Sequence, residues 1–277
     1  MFIIASNITT RTRKVAEALQ PPAESADAQA RQGVERERAA FLGNLAKQCV
    51  AAGADALDVN LQQKRDRPEV MEFAVRAIQD AVDCQLCLSA NRADTLEAGL
   101  RECKRPAIVN YVSMDERRLR EILPVAAYYN AELVLLISDP VAPSMAEDAV
   151  KAAAVLVGAA NEAGIPNDRL MLDPGVLHVT TEMGQRHSRM LLELLPALEE
   201  TFEPAIRTAC WISNVSAAAP RRLRPAIDNA FLATLGGLGL SAAFMDVLNK
   251  DTMRTRRLIS VFRNEVIYAD AEVERVT

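Results

Sequence analysis

The strongest constraint in this sequence is a repeated hydrophobic rhythm. Short apolar runs of strand length alternate with longer stretches of helical period along the whole chain. The runs read as strands at Phe2–Ala5, Ala56–Val59, Gln85–Leu88, Ala107–Asn110, Leu133–Ile137, Leu170–Leu172, Ala209–Ser213 and Ala242–Val247. Helices are expected over Ala40–Ala52, Val70–Val82, Asp94–Glu102, Asp115–Tyr129, Met145–Ala163, Gln185–Leu195, Pro225–Gly237 and Asp251–Val266, with Pro196 ending the sixth. Continuous apolar strands suit a parallel sheet covered on both faces. Eight strand–helix units in 277 residues suit an α/β protein of the (β/α)8 TIM barrel type, as one domain over residues 1–277. The rival is an open doubly wound sheet. It calls for a G-x-G-x-x-G after an early strand, and the chain has none. The polar segment Gln20–Glu37 reads as a long first βα loop, a lid or disordered flap, running into a helix start.

Composition narrows the function classes. Half the residues are apolar, enough for a large core without covalent staples. The net charge of -5 without a basic block argues against a nucleic-acid partner. No signal peptide is read at the N-terminus, and no run is long and apolar enough to span a bilayer, so a cytoplasmic location is expected. Cys49, Cys84, Cys87, Cys103 and Cys210 are odd in number and irregularly spaced, which suits reduced thiols. Cys84 and Cys87 form a C-x-x-C, but neither a second pair nor a nearby His completes a metal set. They are read as buried structural thiols, and no metal site is expected.

Barrel chemistry sits at the carboxyl ends of the strands. Those ends carry Ser6 and Asn7, Asp58 and Asn60, Ser89 and Asn91, Asn110, Ser138 and Asp139, Asp173, Asn214, and Asp246. Any one of them is open to a plainer reading. Asn214 fits the N-cap of a short turn, Asp173 before Pro174 and Gly175 fits a turn former, Asn110 fits a group that satisfies backbone, and Asp246 fits a helix cap. Taken together they suggest a cup of amides and carboxylates. No Lys, Arg or His stands at a strand end, which disfavours a Schiff base, a phosphate clamp or a three-ligand zinc site. Amides and carboxylates can read a flat heterocycle that offers both donors and acceptors.

The segments "GADALDVN", "LCLSAN", "LEAGLRECKRPAIVN", "LMLDPGV" and "WISNVS" occur in an order and spacing that resembles the pterin-binding methyltransferase family, over nearly the whole chain. Within it, the chain is most similar to the methyltetrahydrofolate:corrinoid protein methyltransferases. The resemblance implies a dihydropteroate synthase-like barrel that forms a homodimer. It implies tetrahydrofolate or methyltetrahydrofolate as substrate, and a corrinoid (cobalamin) carried by a separate corrinoid protein. A D-x-H-x-x-G pattern for holding the corrinoid is absent here. Asn110 and Asp173 match the residues that hold the pterin ring. Asn214 matches the one that contacts N5 and is the implied catalytic residue. Asp58 and Asn60 match the group near the pterin floor. Asn7 and Asp246 complete the implied pterin-binding set with Ser89.

Three positions depart from the pattern. Ser89 stands where the family carries Asp, Asn7 where it carries an acidic motif, and the Gly after "D-x-N-x" is missing, since Leu61 and Gln62 follow Asn60. A carboxylate lost from the ring-reading set is expected to weaken pterin binding or change which pterin binds, because charge-assisted bonds are roughly twice as strong as neutral ones. Two alternatives follow: a barrel that binds a pterin without turnover, or a dihydropteroate synthase-like enzyme. The second is disfavoured because "SAAFMDV" at the eighth strand has no cation. Trp211 is read as packing. Arg221, Arg222 and Arg224 are read as a solvated turn, with a folate-tail carboxylate or an acidic partner face as the alternative.

Overall fold

Strands that are apolar on both faces need cover on both, and closing the sheet on itself supplies it. In the computed structural model, which describes residues 1–21, 28–61 and 66–274, the chain runs through β1 (Phe2–Thr9), α1 (Arg13–Ala18), α2 (Ala28–Ala51), β2 (Ala56–Asn60), α3 (Pro68–Gln79), β3 (Gln85–Ser89), α4 (Ala93–Glu102) and β4 (Ile108–Ser113). It continues through α5 (Glu116–Glu121), α6 (Leu123–Tyr128), β5 (Glu132–Leu136), α7 (Ala146–Glu162), β6 (Leu170–Asp173), α8 (Glu182–Thr201), β7 (Arg207–Trp211), α9 (Arg224–Gly237), β8 (Ala242–Met245), α10 (Lys250–Phe262) and α11 (Asp270–Glu274). The strands pair in chain order, all parallel, and β8 pairs with β1 to close the barrel. The (β/α)8 expectation is met.

Side chains alternate across each strand. Ile3, Leu57, Leu88, Val109, Leu133 and Leu172 belong to the large core shared with the helices. Ile4, Ala56, Cys87, Ile108, Val134, Met171, Ala209, Ala242 and Phe244 form a separate cluster that fills the barrel interior. That plug is the floor on which any site at the mouth must stand.

Several boundaries differ from expectation, each for a physical reason. The polar stretch read as a flap is helical from Ala28, while residues 22–27 lie outside the described residues. Residues 29–37 are exposed all round, so they carry no apolar period, yet Ala, Gln, Arg and Glu are strong helix formers. The helix read over Asp115–Tyr129 is two helices, because Pro124 cannot continue the hydrogen-bond ladder and stands instead in the first turn of α6. Pro196, expected to end a helix, lies inside α8; Leu191, Leu194, Leu195 and Leu198 are buried on both sides of it and their packing outweighs one lost bond. The last long helix stops at Phe262, and Asn264 with φ 56° turns the chain away.

No helix among the described residues is long and apolar enough to cross a membrane. The five cysteines are unpaired, with Cys49, Cys87 and Cys210 buried and Cys84 and Cys103 half-buried.

Candidate active site

One residue pair above the interior plug, the inward positions turn polar. Asp58 follows Ala56, Ser89 follows Cys87, Asn110 follows Ile108 and Asp173 follows Met171, each two residues further along its strand. A cavity of about 380 Å³ opens above them. Asn60, Ser89, Asn110, Asp173, Trp211 and Asn214 line it, so the structure brings together five of the expected site residues.

Asp58, also an expected site residue, is not in the cavity wall but lies beneath this floor, fully buried under Ser89. Ser89 Oγ donates to Asp58 Oδ1 (2.5 Å), and Asn60 Nδ2 donates to Asp58 Oδ2 (3.1 Å). Asn110 Nδ2 then donates to Ser89 Oγ (2.8 Å). Burial raises the Asp58 carboxyl to about 6, and the donors from Ser89 and Asn60 hold it below where burial alone would put it. The charge that Ser89 lacks is therefore one layer deeper, and the hydroxyl passes its pull on to Asn110.

This network fixes polarity. The Nδ2 atoms of Asn60 and Asn110 each donate one N–H downward, which turns their carbonyl oxygens toward other groups. Asn60 Oδ1 is buried without a hydrogen-bond partner among the described residues. Replacing Ser89 with Ala cuts the relay. A roughly tenfold loss of pterin affinity is expected, about one hydrogen bond's worth. Calorimetric titration checks it, and Ser89→Thr, which keeps a hydroxyl, is expected to recover most of the affinity.

Asp173 faces this pair across the floor and is 4% exposed. Its Oδ1 accepts from the backbone N–H of Gly175 (2.7 Å), so the turn-forming role is real. Its second oxygen has no partner among the described residues. Burial raises this carboxyl to about 7, against the opposing pull of the Gly175 N–H. The turn is locked from behind by His187, whose Nε2 meets the Gly175 carbonyl at 3.1 Å and which burial keeps neutral.

Gly175 is required there on two counts. Its φ is +75°, and a Cβ would lie 1.8 Å from Ser138 Oγ. Gly175→Ala is expected to cost about 2–3 kcal/mol, or on the order of 5–10 °C in Tm, and to weaken pterin binding by releasing Asp173. Thermal denaturation and titration on the same sample check both parts.

Asn214 sits on a single 3-10 turn, Ile212–Asn214, directly after β7. Its side chain caps nothing and has no hydrogen-bond partner among the described residues, though it lines the cavity. It is the one amide of the set left uncommitted.

Besides Asp58, two expected site residues stand outside the wall. Asn7 and Asp246 are not in the cavity wall. Asn7 Nδ2 donates to Asp246 Oδ1, and Asn7 Oδ1 accepts from the Val247 N–H (3.2 Å). The pair stitches the end of β1 to the end of β8 at the rim of the barrel. Asp246 also accepts from the Leu248 N–H (3.0 Å), and Asn249 is the residue that caps α10.

Other wall residues escaped sequence reasoning. Trp211 packs, stacked on Phe244 at 4.7 Å and 7°, yet its ring also lines the cavity. Tyr111 joins Asn110 in the wall because β4 shifts register against β5 between Asn110 and Val112. A regular strand would send those neighbours to opposite faces. The cup read as free of cations has two in its wall, Arg11 and Arg118, both beyond the strand ends. Arg224 bonds the carbonyls of Ala219 and Ala217, and Arg221 and Arg222 are exposed outside the wall. Among the described residues, no group of three or more His, Cys, Asp or Glu is placed to hold a metal.

Comparison with known proteins agrees with the barrel fold. The family model described as pterin binding enzyme matches residues 26–239. A methylcorrinoid:tetrahydrofolate methyltransferase of Eubacterium limosum is 26% identical over 228 residues, covering 80% of this chain and 82% of that protein. Among solved structures, 7,8-dihydropteroate synthase from Vibrio fischeri ES114 is similar with a TM-score of 0.69 at 14% identity, covering 96% of this chain and 94% of that one. Yersinia pestis DHPS with a pterine-sulfa conjugate is similar with a TM-score of 0.64 at 14% identity, covering 95% and 94%. At that identity the likeness is one of fold. With the family model spanning most of the barrel, the chain belongs to the pterin-binding enzyme family.

Proposed function

We propose that the cavity holds a reduced pterin, and that the protein moves a methyl group between N5 of tetrahydrofolate and the cobalt of a corrinoid protein. The observation that carries this reading is the convergence of open acceptors on the floor. They are the free Asp173 oxygen and the amide oxygen that Asn110 has left after its Nδ2 turns to Ser89. Such a floor calls for a ligand edge rich in N–H donors. A tetrahydropterin has one, with its amino group, N3–H and N8–H. A phosphate or carboxylate at that depth would lie against the Asp173 carboxyl, a like charge once that group ionises.

Asn214 is the contrasting element. When the methyl group leaves N5, the bonding pair stays on nitrogen. When tetrahydrofolate is the acceptor, N5 supplies that pair and releases its proton. In both directions the charge at N5 changes most in the transition state. As the methyl group leaves, Nδ2–H of an amide can donate to the pair growing on N5; in the opposite direction its Oδ1 can accept the N5–H as positive charge builds there, and either contact lowers the barrier more than it tightens ground-state binding. An amide tied to no other group is free to do so. The partner's corrinoid supplies the metal end of the exchange. The remaining task of the barrel is to hold the ring with N5 toward the mouth, where orientation does much of the work. The name of the Eubacterium limosum relative supports both halves of the reaction.

The test is to mix the protein with a candidate corrinoid protein and either tetrahydrofolate or methyltetrahydrofolate, and to follow the cobalt absorption spectrum. Turnover changes the spectrum in a pterin-dependent way. Measured pterin binding with no spectral change for any partner would instead favour a binding barrel without turnover.

A further inference from the structure

The cavity is graded in polarity from bottom to rim. Its floor residues Asn60, Ser89, Asn110 and Asp173 are buried, whereas Arg118 is half-buried and Arg11 is exposed, both in the same wall. A neutral ring suits the floor but gives the rim nothing to bind. The unexplained group is Arg118. It is held from three sides by neutral partners. One Nη donates to the Tyr111 carbonyl (3.1 Å), the other donates to Asn91 Oδ1 (2.6 Å), and the guanidinium lies 4.2 Å over the Tyr111 ring.

None of those partners carries charge. On the same helix Arg117 and Arg120 both pair with Glu121, at 3.0 and 3.7 Å, while Arg118 forms no ion pair among the described residues. The neighbouring carboxylates are engaged elsewhere. Asp115 accepts from the backbone N–H of Arg118 as the N-cap of α5, and Asp139 accepts from Ser113 Oγ. Guanidinium has five N–H donors in a rigid fork, and the two bonds above leave donors to spare. The result is a cation fixed in a cavity wall with its charge unanswered and its orientation already set, which is how a preorganised anion contact is built.

We propose that Arg118 binds a carboxylate at the far end of the substrate's tail, so that the site prefers a pterin with an acidic tail over the bare ring. This rests on the pterin reading above and adds to it a second contact point at the opposite end of the ligand. It assigns the tail to the β4–α5 side of the mouth and leaves the exposed Arg221 and Arg222 out of ligand recognition.

The test compares two probes by calorimetric titration: 6-methyltetrahydropterin, which has no tail, and tetrahydrofolate. The unaltered protein is expected to prefer tetrahydrofolate by about tenfold or more, the size of one charge-assisted contact. Arg118→Gln is expected to erase that preference while leaving the tail-less probe within about threefold of its original affinity. The preference is also expected to shrink as NaCl rises from about 50 to about 500 mM, since a rim contact is screened. Arg118→Lys, which keeps the charge, is expected to retain part of the preference. An intact preference in Arg118→Gln overturns the proposal. So does an equal loss for both probes, which would make Arg118 a prop for Tyr111 and Asn91. A preference lost as fully with Lys as with Gln would overturn the role of charge. Failure of the unaltered protein to bind the tail-less probe at all would instead remove the pterin reading, and the tail contact with it.

Discussion

Replacing Asn214 with Ala is expected to slow methyl transfer by about 10²–10³ while pterin affinity changes by less than about threefold. The asymmetry comes from what each cavity residue is already doing. Asn60 and Asn110 are tied into the Asp58 network and Asp173 into the Gly175 turn, so they meet a ligand in fixed positions. Interactions set before the ligand arrives bind ground state and transition state alike and appear mainly in affinity. Asn214 has no such tie, and its contact can strengthen as charge changes at N5. Single-turnover rates followed at the corrinoid, beside calorimetric Kd values, separate the two effects. Equal losses in rate and affinity would demote Asn214 to a ring-holding residue.

Asp173→Asn is expected to act in opposite senses on binding and stability. Pterin affinity should fall by about 100-fold at pH 8, because the free oxygen's charge-assisted acceptor bonding to the ring is lost and the new amide N–H faces the ring's own N–H donors. Stability should rise. The folded-state value of about 7 lies above the ordinary carboxylate value of 3.8, so the folded protein holds this proton more tightly than the unfolded chain. Its contribution to stability is full below about pH 4 and is lost as pH rises through 7. Asp58, raised to about 6, acts in the same direction. The Asn variant never ionises, so its Tm should exceed that of the unaltered protein at pH 8 by several degrees and converge with it near pH 4. In the unaltered protein pterin affinity should climb with pH and level off above about 7, as the ionised form becomes available without proton loss. A Tm advantage that is the same at every pH would show that ionisation of Asp173 is not its cause.

The barrel was legible because its signal is redundant. Eight strands each repeat a short apolar run, and an error at one boundary does not disturb the order of the others. The floor was legible for a related reason. A polar residue two places beyond a buried one, on a strand whose register is fixed, has few other places to point, as with Asp58 after Ala56 and Asp173 after Met171.

What the sequence hid depends on contacts between distant parts. Asn7 and Asp246 satisfy the strand-end rule as well as Asn110 does, yet they lie 239 positions apart in the chain and meet because β1 and β8 are the closing strands. Ser89 looked like a lost charge because Asp58, 31 residues earlier on the preceding strand, supplies that charge only through their contact. Arg118 looked like one more surface cation on a charged helix. Its distinction is the absence of the Glu121 pairing that its neighbours share, and spacing alone does not reveal it. Tyr111 needed a register irregularity that apolar patterning does not encode.

The stacked pair of Trp211 and Phe244 has a consequence for how this molecule can be watched. Trp211 is the chain's sole tryptophan, and one face of the site is its indole ring. Its emission therefore comes from a single address, with Phe244 holding the ring at a set orientation from below. A heterocycle entering the cavity changes the dielectric around that indole and can accept its excitation energy. The protein thus carries an intrinsic optical reporter of occupancy, with no dye to attach and no second indole to subtract.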